Sequence, residues 1–305
     1  MGATACSRLG TSPAWRARAE RLGRVTAAEQ LSGRYAGLWR YEFDVQTRWG
    51  YYPASMPNIV ATTFCADGCL DTGALSEHGV ESLATGLLEQ LFTGRYFAYT
   101  PVTGTLIHNA NLMGAALAAR LAGRIDVPRP LASRLRDAAC ASVSASIAAQ
   151  RSDGSWPYGD ASGLGWVDGF HTGYVLLRLE SAAAELGLDV DAAMSAGARF
   201  YFTSLFDGAV PRYYAGQGSR RGTAARRDPN NDATALRMAA WGEDRGHVPP
   251  GFADDVWAAV TGHFPDCAPP ASRRRRVRPI DRSPRWATAP LLDALTAVYA
   301  IRSEE

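Results

Sequence analysis

The chain has 305 residues, 47% hydrophobic and 20% charged, which excludes a mainly disordered polymer and allows a sizeable buried core. All 32 basic residues are arginine; against 30 acidic ones they leave a net charge of +2, a balance that gives no reason to expect a nucleic-acid partner. No apolar run reaches the roughly 18 residues of a membrane span, and the first residues lack the apolar stretch of a secretory signal.

Residues 1–45 supply at least one N-terminal helix, in PAWRARAERLGRVTAAEQLSGRYAGLWRYEF. From Tyr51 onward the chain repeats one pattern: a loop with aromatics or proline, a polar pair, then a helix rich in small residues. The helix starts read NIVATTF, LIHNANLM, VDGFHTGY, NNDATAL and PRWATAP. One column holds Thr62, Asn111, Thr172, Thr234 and Thr288, spaced by 49, 61, 62 and 54 residues. Thr and Asn at such positions read as caps for the free amides of a helix start. Between these helices lie amphipathic stretches, such as ALSEHGVESLATGLLEQLF with Val80, Leu83, Leu87, Leu88 and Leu91 at helical spacing.

The unit is therefore an outer helix, a long loop and an inner helix, repeated about five times. Long aromatic loops that always precede the inner helix suit a closed ring better than a linear solenoid. The expected fold is all-α, an α/α toroid of five to six helical hairpins, in one domain spanning 1–305 with residues 1–45 completing the ring. Cys6, Cys65, Cys69, Cys140 and Cys267 form an odd, sparse set that points to a reducing cytoplasm. Cys65 and Cys69 share a helix face and could be half of a metal site. Without a second Cys/His pair, packing is the favoured reading and no metal is assigned.

The sharpest local motif is QRSDGSWPYG, where Gln150, Gly154 and Trp156 resemble the Gln…Gly-x-Trp motif of terpenoid-cyclase and prenyltransferase toroids. WVDGFHTGYVLLRL from Trp166, RYY at Arg212 to Tyr214 and RWATA at Arg285 to Ala289 resemble small bacterial toroid proteins of polysaccharide-biosynthesis clusters. The resemblance covers roughly residues 50 to 300 and implies a toroid fold and a role in polysaccharide biosynthesis. The Asp-x-Asp-Asp acid and the Asp-Asp-x-x-Asp motif of terpenoid chemistry are absent, as is the Cys-His pair of zinc-binding toroid cyclases.

His171 replaces an Ala of the repeat at the start of an inner helix, with Asp168 three residues earlier. A carboxylate can orient an imidazole and raise its basicity, as general-base chemistry requires; capping by Asp168 is the structural alternative. His108 and Asn109 stand at the equivalent place in the second repeat, and Asp228, Asn230, Asn231 and Asp232 in the fourth. Asp228 reads as a turn and cap, Asp232 as the better site candidate. Trp166, Tyr174, Tyr214 and Trp286 offer rings for sugar faces, Tyr213 a proton donor as well. Trp156 reads as a structural wedge. Arg212 and Arg285 could grip a carboxylate in two-point contact. The run Arg273 to Arg276 with Arg278 reads as an exposed loop, or as a lid over an anion.

The expected function is a cytoplasmic enzyme acting on a carbohydrate or glycoconjugate precursor, as an epimerase or lyase of an anionic sugar. His171, Asp168 and Tyr213 would be its catalytic groups. No Gly-x-Gly-x-x-Gly and no P-loop occur, so no cofactor is expected. The alternatives are a terpenoid or polyprenyl cyclase-like enzyme and a non-catalytic scaffold toroid. Residues just before the aligned column should line one rim of a central funnel, where helix N-termini favour an anionic ligand.

Overall fold

The computed structural model describes residues 1–10, 12–46, 50–216, 228–264 and 287–303. The helices are α1 (Gly2–Arg8), α2 (Pro13–Ala28), α3 (Ile59–Asp71), α4 (Glu77–Gly86), α5 (His108–Ala122) and α6 (Arg129–Ile147). They continue with α7 (Gly169–Leu186), α8 (Asp191–Ser204), α9 (Pro229–Asp244), α10 (Phe252–Val260) and α11 (Ala289–Ser303). Two small antiparallel hairpins interrupt them: β1 (Val45–Gln46) with β2 (Tyr51–Tyr52), and β3 (Phe206–Asp207) with β4 (Val210–Pro211).

Local chemistry sets the helix boundaries. Asn58, Ser76, Asp168 and Asp228 cap α3, α4, α7 and α9 with their side chains. Pro13 and Pro229 occupy first helical positions, where a missing N–H costs nothing. α7 ends at Gly187 with φ of 67°, a left-handed turn that favours glycine.

Among the described residues, α1, α3, α5, α7, α9 and α11 each pack on the next, and α11 packs back on α1. The remaining helices lie outside them: α2 on α1 and α3, α4 on α5 and α6, α6 on α5 and α7, α8 on α7, and α10 on α9. This is a closed α/α toroid. The inner helices α5 and α9 are buried almost all round; in α5 only Arg120 and Ala122 escape burial. Small residues make that possible, because a helix enclosed on every side needs close neighbours. No described helix is long and apolar enough to cross a membrane.

The aligned Thr/Asn column does not cap the helices. Thr62, Asn111, Thr172 and Thr234 lie about one turn inside them, and Thr288 directly precedes α11. Thr172 Oγ1 donates back to the Asp168 carbonyl (2.6 Å) and Thr234 Oγ1 to the Asn230 carbonyl (2.8 Å). Thr62 exchanges hydrogen bonds with the Trp39 backbone, and Asn111 ties the Phe97 amide (2.9 Å) to the Ser142 carbonyl (2.8 Å). Thr62 and Asn111 thus fasten loop and outer helix to the inner ring, a long-range role that local spacing does not reveal, while Thr172 and Thr234 bond within their own helices.

Gln150 and Trp156 are also structural. The Gln150 amide donates to the carbonyls of Gly154 (3.0 Å) and Ala193 (2.9 Å), while Trp156 Nε1 donates to the Ser146 carbonyl (2.8 Å). Cys69 donates its thiol to the Gly23 carbonyl at 3.6 Å, and burial pushes the Cys65 thiol up to about 11 and that of Cys69 to about 12. Both behave as small packed residues.

Candidate active site

The loops before the inner helices are stitched together by one repeated hydrogen bond. The first amide of α3, Ile59, donates to the Tyr99 carbonyl (2.9 Å). His108, first in α5, donates to that of Tyr158 (3.1 Å), and Gly169, first in α7, to that of Tyr213 (2.9 Å). Each bond places a tyrosine at the helix-start mouth of the ring. Tyr41 joins them, with its hydroxyl 3.4 Å from that of Tyr99, and the Tyr52 ring lies 4.7 Å from the Tyr99 ring. Burial, then the phenols of Tyr52, Tyr41 and Tyr213 and the charge of Asp168, push the Tyr158 hydroxyl well above the ordinary phenol value. These hydroxyls are neutral donors at neutral pH.

Asp168 and His171 form the ionisable pair in this mouth. Asp168 Oδ1 accepts from the His171 amide (2.8 Å), closing the cap; Oδ2 lies 2.7 Å from His171 Nδ1 and accepts from Trp166 Nε1 (3.0 Å). Capping and orientation therefore coexist in one carboxylate. Burial raises its pKa, but the facing imidazole and these hydrogen bonds outweigh it and hold the carboxyl below its usual value. An ionised Asp168 keeps the proton on Nδ1, which leaves Nε2 of a neutral His171 with a lone pair. Trp166 stacks on Tyr158 at 4.6 Å, and the Tyr158 ring meets His171 edge-on at 4.6 Å.

His108, Asn109, Tyr158, Asp168 and His171 line one cavity of about 10 Å³, roughly the space of one water. His108 is buried; Nδ1 lies 3.1 Å from Ser146 Oγ and Nε2 has no partner among the described residues. Burial pushes its pKa down to about 4, against the pull of Asp160 and with help from Arg151. Asn109 Oδ1, Asn230 Oδ1 and Asn231 Oδ1 are likewise buried without partners. Asn231 Oδ1 lies where only a glycine fits on α7, since a Cβ on Gly169 would come within 2.7 Å of it. Four buried polar atoms at the starts of α5 and α9 thus lack partners among the described residues, and the cavity beside His108 and Asn109 has room for about one water to serve them.

The other sequence candidates fall in several places. Tyr214 pairs with Asp168 through a backbone bridge and meets the Tyr213 ring at 4.6 Å. Asp232 is buried in the first turn of α9, and Asp228 caps that helix. Arg212 does not line the small cavity; its guanidinium lies 3.6 Å from Asp207 beyond the β3–β4 hairpin. Tyr174 is not a mouth residue. Its ring meets Phe170 at 5.2 Å and Phe64 at 5.8 Å, and its buried hydroxyl feels Asp293, Arg237 and Arg178. One helical turn beyond His171 carries it down into the lumen. Arg285, Trp286 and the run Arg273 to Arg278 lie outside the described residues. Sequence reasoning passed over Tyr41 and Tyr99. The signal for Tyr99 was its place in the loop FAYTP, ahead of an inner helix as Tyr158 is in SWPYG.

The expected funnel at the helix starts is narrower than the repeat suggested. A cavity of about 410 Å³ lies further along the lumen, lined by Arg8, Asp67, Asp71, Arg120, Arg178, Arg237 and Asp293 among others. Its charges sit at or past the middle of most inner helices, where the aligned starts gave no cue. The signal available was a charge set among mostly apolar neighbours within an inner helix: Asp67 in FCADGC, Arg178 in VLLRLE, Arg237 in ALRMAA and Asp293 in LLDALT.

No family model and no curated protein sequence matches the chain. Solved structures do match in fold. A polysaccharide lyase superposes with a TM-score of 0.63 at 11% identity, over 99% of this chain and 89% of its own. A reducing-end-xylose releasing exo-oligoxylanase, complexed with xylobiose, gives 0.61 at 11% identity, over 98% and 78%. A C. acetobutylicum glycoside hydrolase from family 105 gives 0.52 at 11% identity, over 79% and 75%. At such identities the likeness establishes the α/α toroid and nothing finer.

Proposed function

We propose that this protein is a carbohydrate-acting enzyme that abstracts a proton from a carbon beside the carboxylate of a uronate-like sugar. The observation that carries the proposal is the 2.7 Å contact between Asp168 and His171 Nδ1 inside a mouth of tyrosine hydroxyls. His171 Nε2 takes the carbon-bound proton, and Asp168 stabilises the resulting imidazolium. In an epimerase, Tyr213 or Tyr158 returns a proton to the opposite face. In a lyase, that proton goes to the departing glycosidic oxygen as the carbon–carbon double bond forms. Arg212, once swung from Asp207 towards the mouth, and Arg285 would hold the substrate carboxylate. The toroid neighbours include enzymes that act on polysaccharides, which supports the substrate class. A glycoconjugate precursor in polysaccharide assembly, handled in the cytoplasm without a cofactor, fits the reading.

Two-carboxylate hydrolysis fits less well. It needs a carboxylic acid that stays protonated near neutral pH. The pair on His171 lowers the Asp168 pKa, and the lumen carboxylates Asp67, Asp71 and Asp293 are all paired with arginine. The charged lumen also counts against polyene cyclisation, which calls for a carbon-lined wall.

The test is a panel of uronate-containing oligosaccharides incubated in heavy water and followed by NMR. Deuterium should enter at one ring carbon, or an unsaturated uronate should form, and His171→Ala should slow either by about 10²- to 10⁴-fold. Absence of both reactions with every uronate, while neutral sugars are processed, refutes the proposal.

A further inference from the structure

We propose that the lumen holds a second binding site, for a small anion bearing a phosphate or carboxylate group, gripped by Arg178 and Arg237. The cavity of about 410 Å³ falls in the range of small-molecule sites, and none of its lining residues lines the small cavity at His171. A chain of ring contacts links the two sites: His171 to Phe170 (4.6 Å), Phe170 to Tyr174 (5.2 Å), and Tyr174 to Phe64 (5.8 Å), which itself lines the lumen cavity.

The hydrogen-bond arithmetic of the lumen is unbalanced. Four guanidinium groups and the Met1 amino group face three carboxylates in it, an excess of positive charge. Both oxygens of Asp67 are taken, Oδ1 by Arg120 (3.4 Å) and Oδ2 by Arg178 (2.8 Å). Both oxygens of Asp293 are taken too, Oδ1 by Arg8 (2.8 Å) and Oδ2 by Arg237 (2.8 Å). The cations are less occupied. A guanidinium carries five N–H donors, yet among the described residues Arg178 bonds only through Nη2 and Arg237 only through Nη1. What the cavity lacks is acceptors, and an anion supplies them without breaking any existing pair.

Holding seven side-chain charges, six of them half-buried and Asp293 buried, inside a ring of helices is costly unless the remaining donors and acceptors are satisfied. A phosphate or carboxylate bridging Arg178 and Arg237 offsets the positive excess and engages their spare donors in charge-assisted bonds. Ser7 and Ser181 line the same cavity and can bind hydroxyls of a sugar-sized ligand. Ser7, Arg8 and Asp71 also line a more open depression of about 570 Å³ with Arg16 and Glu20, which forms a vestibule on the side away from His171.

Isothermal titration of the full chain with inorganic phosphate, glucuronate, glucose 6-phosphate and neutral glucose tests the site. At least one of the three anions should bind with one-to-one stoichiometry, and glucose should not. Phosphate alone identifies a free-ion site; glucuronate or glucose 6-phosphate binding more tightly than phosphate identifies a sugar-anion site. Arg178→Gln and Arg237→Gln should each weaken binding about tenfold or more, the worth of a lost charge-assisted bond. His171→Ala should leave it unchanged. Binding that survives both arginine variants, that is lost in His171→Ala, or that no anion shows at millimolar concentration overturns the proposal. Should either arginine variant fail to fold, selenate soaked into wild-type crystals decides the matter. Anomalous density within hydrogen-bond reach of Arg178 and Arg237 supports the site, and its absence there refutes it.

Discussion

His108 should make the fold acid-sensitive in a defined window. Its imidazole is buried beside Ser146 and holds a pKa of about 4, against 6.5 for the free side chain. Above about pH 6.5 both folded and unfolded chains carry it neutral, and it adds nothing to pH dependence. As pH falls from there towards about 4, the unfolded chain binds a proton that the folded one refuses. A gap of roughly 2.5 pKa units, at 1.36 kcal/mol each, makes the loss about 3 kcal/mol. His108→Asn places an amide near the position of Nδ1, within reach of Ser146, and cannot titrate. At pH 7.5 the variant should be less stable by about 1–2 kcal/mol, through lost packing. Urea unfolding at a series of pH values should show that deficit shrinking and reversing on acidification, a swing of about 3 kcal/mol relative to wild type. Parallel pH profiles for the two proteins would refute the reasoning.

Asp168→Asn should lower turnover by about 10²- to 10⁴-fold, because an amide facing Nδ1 favours the tautomer whose Nε2 already carries the proton. It should also cost about 1–3 kcal/mol of stability at neutral pH, measured by urea unfolding. The folded Asp168 pKa is depressed, so that contribution holds above about pH 4 and fades as pH falls through the folded value. Gly114→Ala should destabilise by about 1–3 kcal/mol despite better helix propensity, since its Cβ would lie 2.5 Å from Phe97 Cγ in the core. Thermal unfolding reads this directly, and an unchanged midpoint would show that Phe97 can move. Cys65 and Cys69, with thiols pushed up to about 11 and 12, should alkylate at pH 8 at least about tenfold more slowly than a free peptide thiol.

The ring was legible because it is a repeat. Loop chemistry and small-residue helices recur at spacings of 49 to 62 residues, and that period alone calls for alternating inner and outer helices. The reason for the Thr/Asn column was misread. Capping is a local rule, and the caps are the earlier residues Asn58, Asp168 and Asp228. Asn111 instead binds backbone and side-chain groups on α6 more than 30 residues away, at Ser142 and Ser146. A helix start shows its cap in sequence, but a tie to another helix has no local signature.

The same division separates the two sites. Asp168 and His171 are legible as a pair because three residues along a helix bring side chains onto one face. The tyrosines around them follow from the repeat, which ties a Tyr carbonyl to the first amide of α3, α5 and α7 in turn. The lumen charges follow from ring closure instead. Arg8 reaches Asp293 across 285 residues, and Arg178 reaches Asp67 across 111. Within a local window each of these is a charge with no opposite charge three or four residues away, which argues against burial. Only the closed ring turns them into mutually neutralising pairs around a shared cavity. The mouth chemistry is therefore written into single repeats, whereas the lumen chemistry exists only once first and last helices meet.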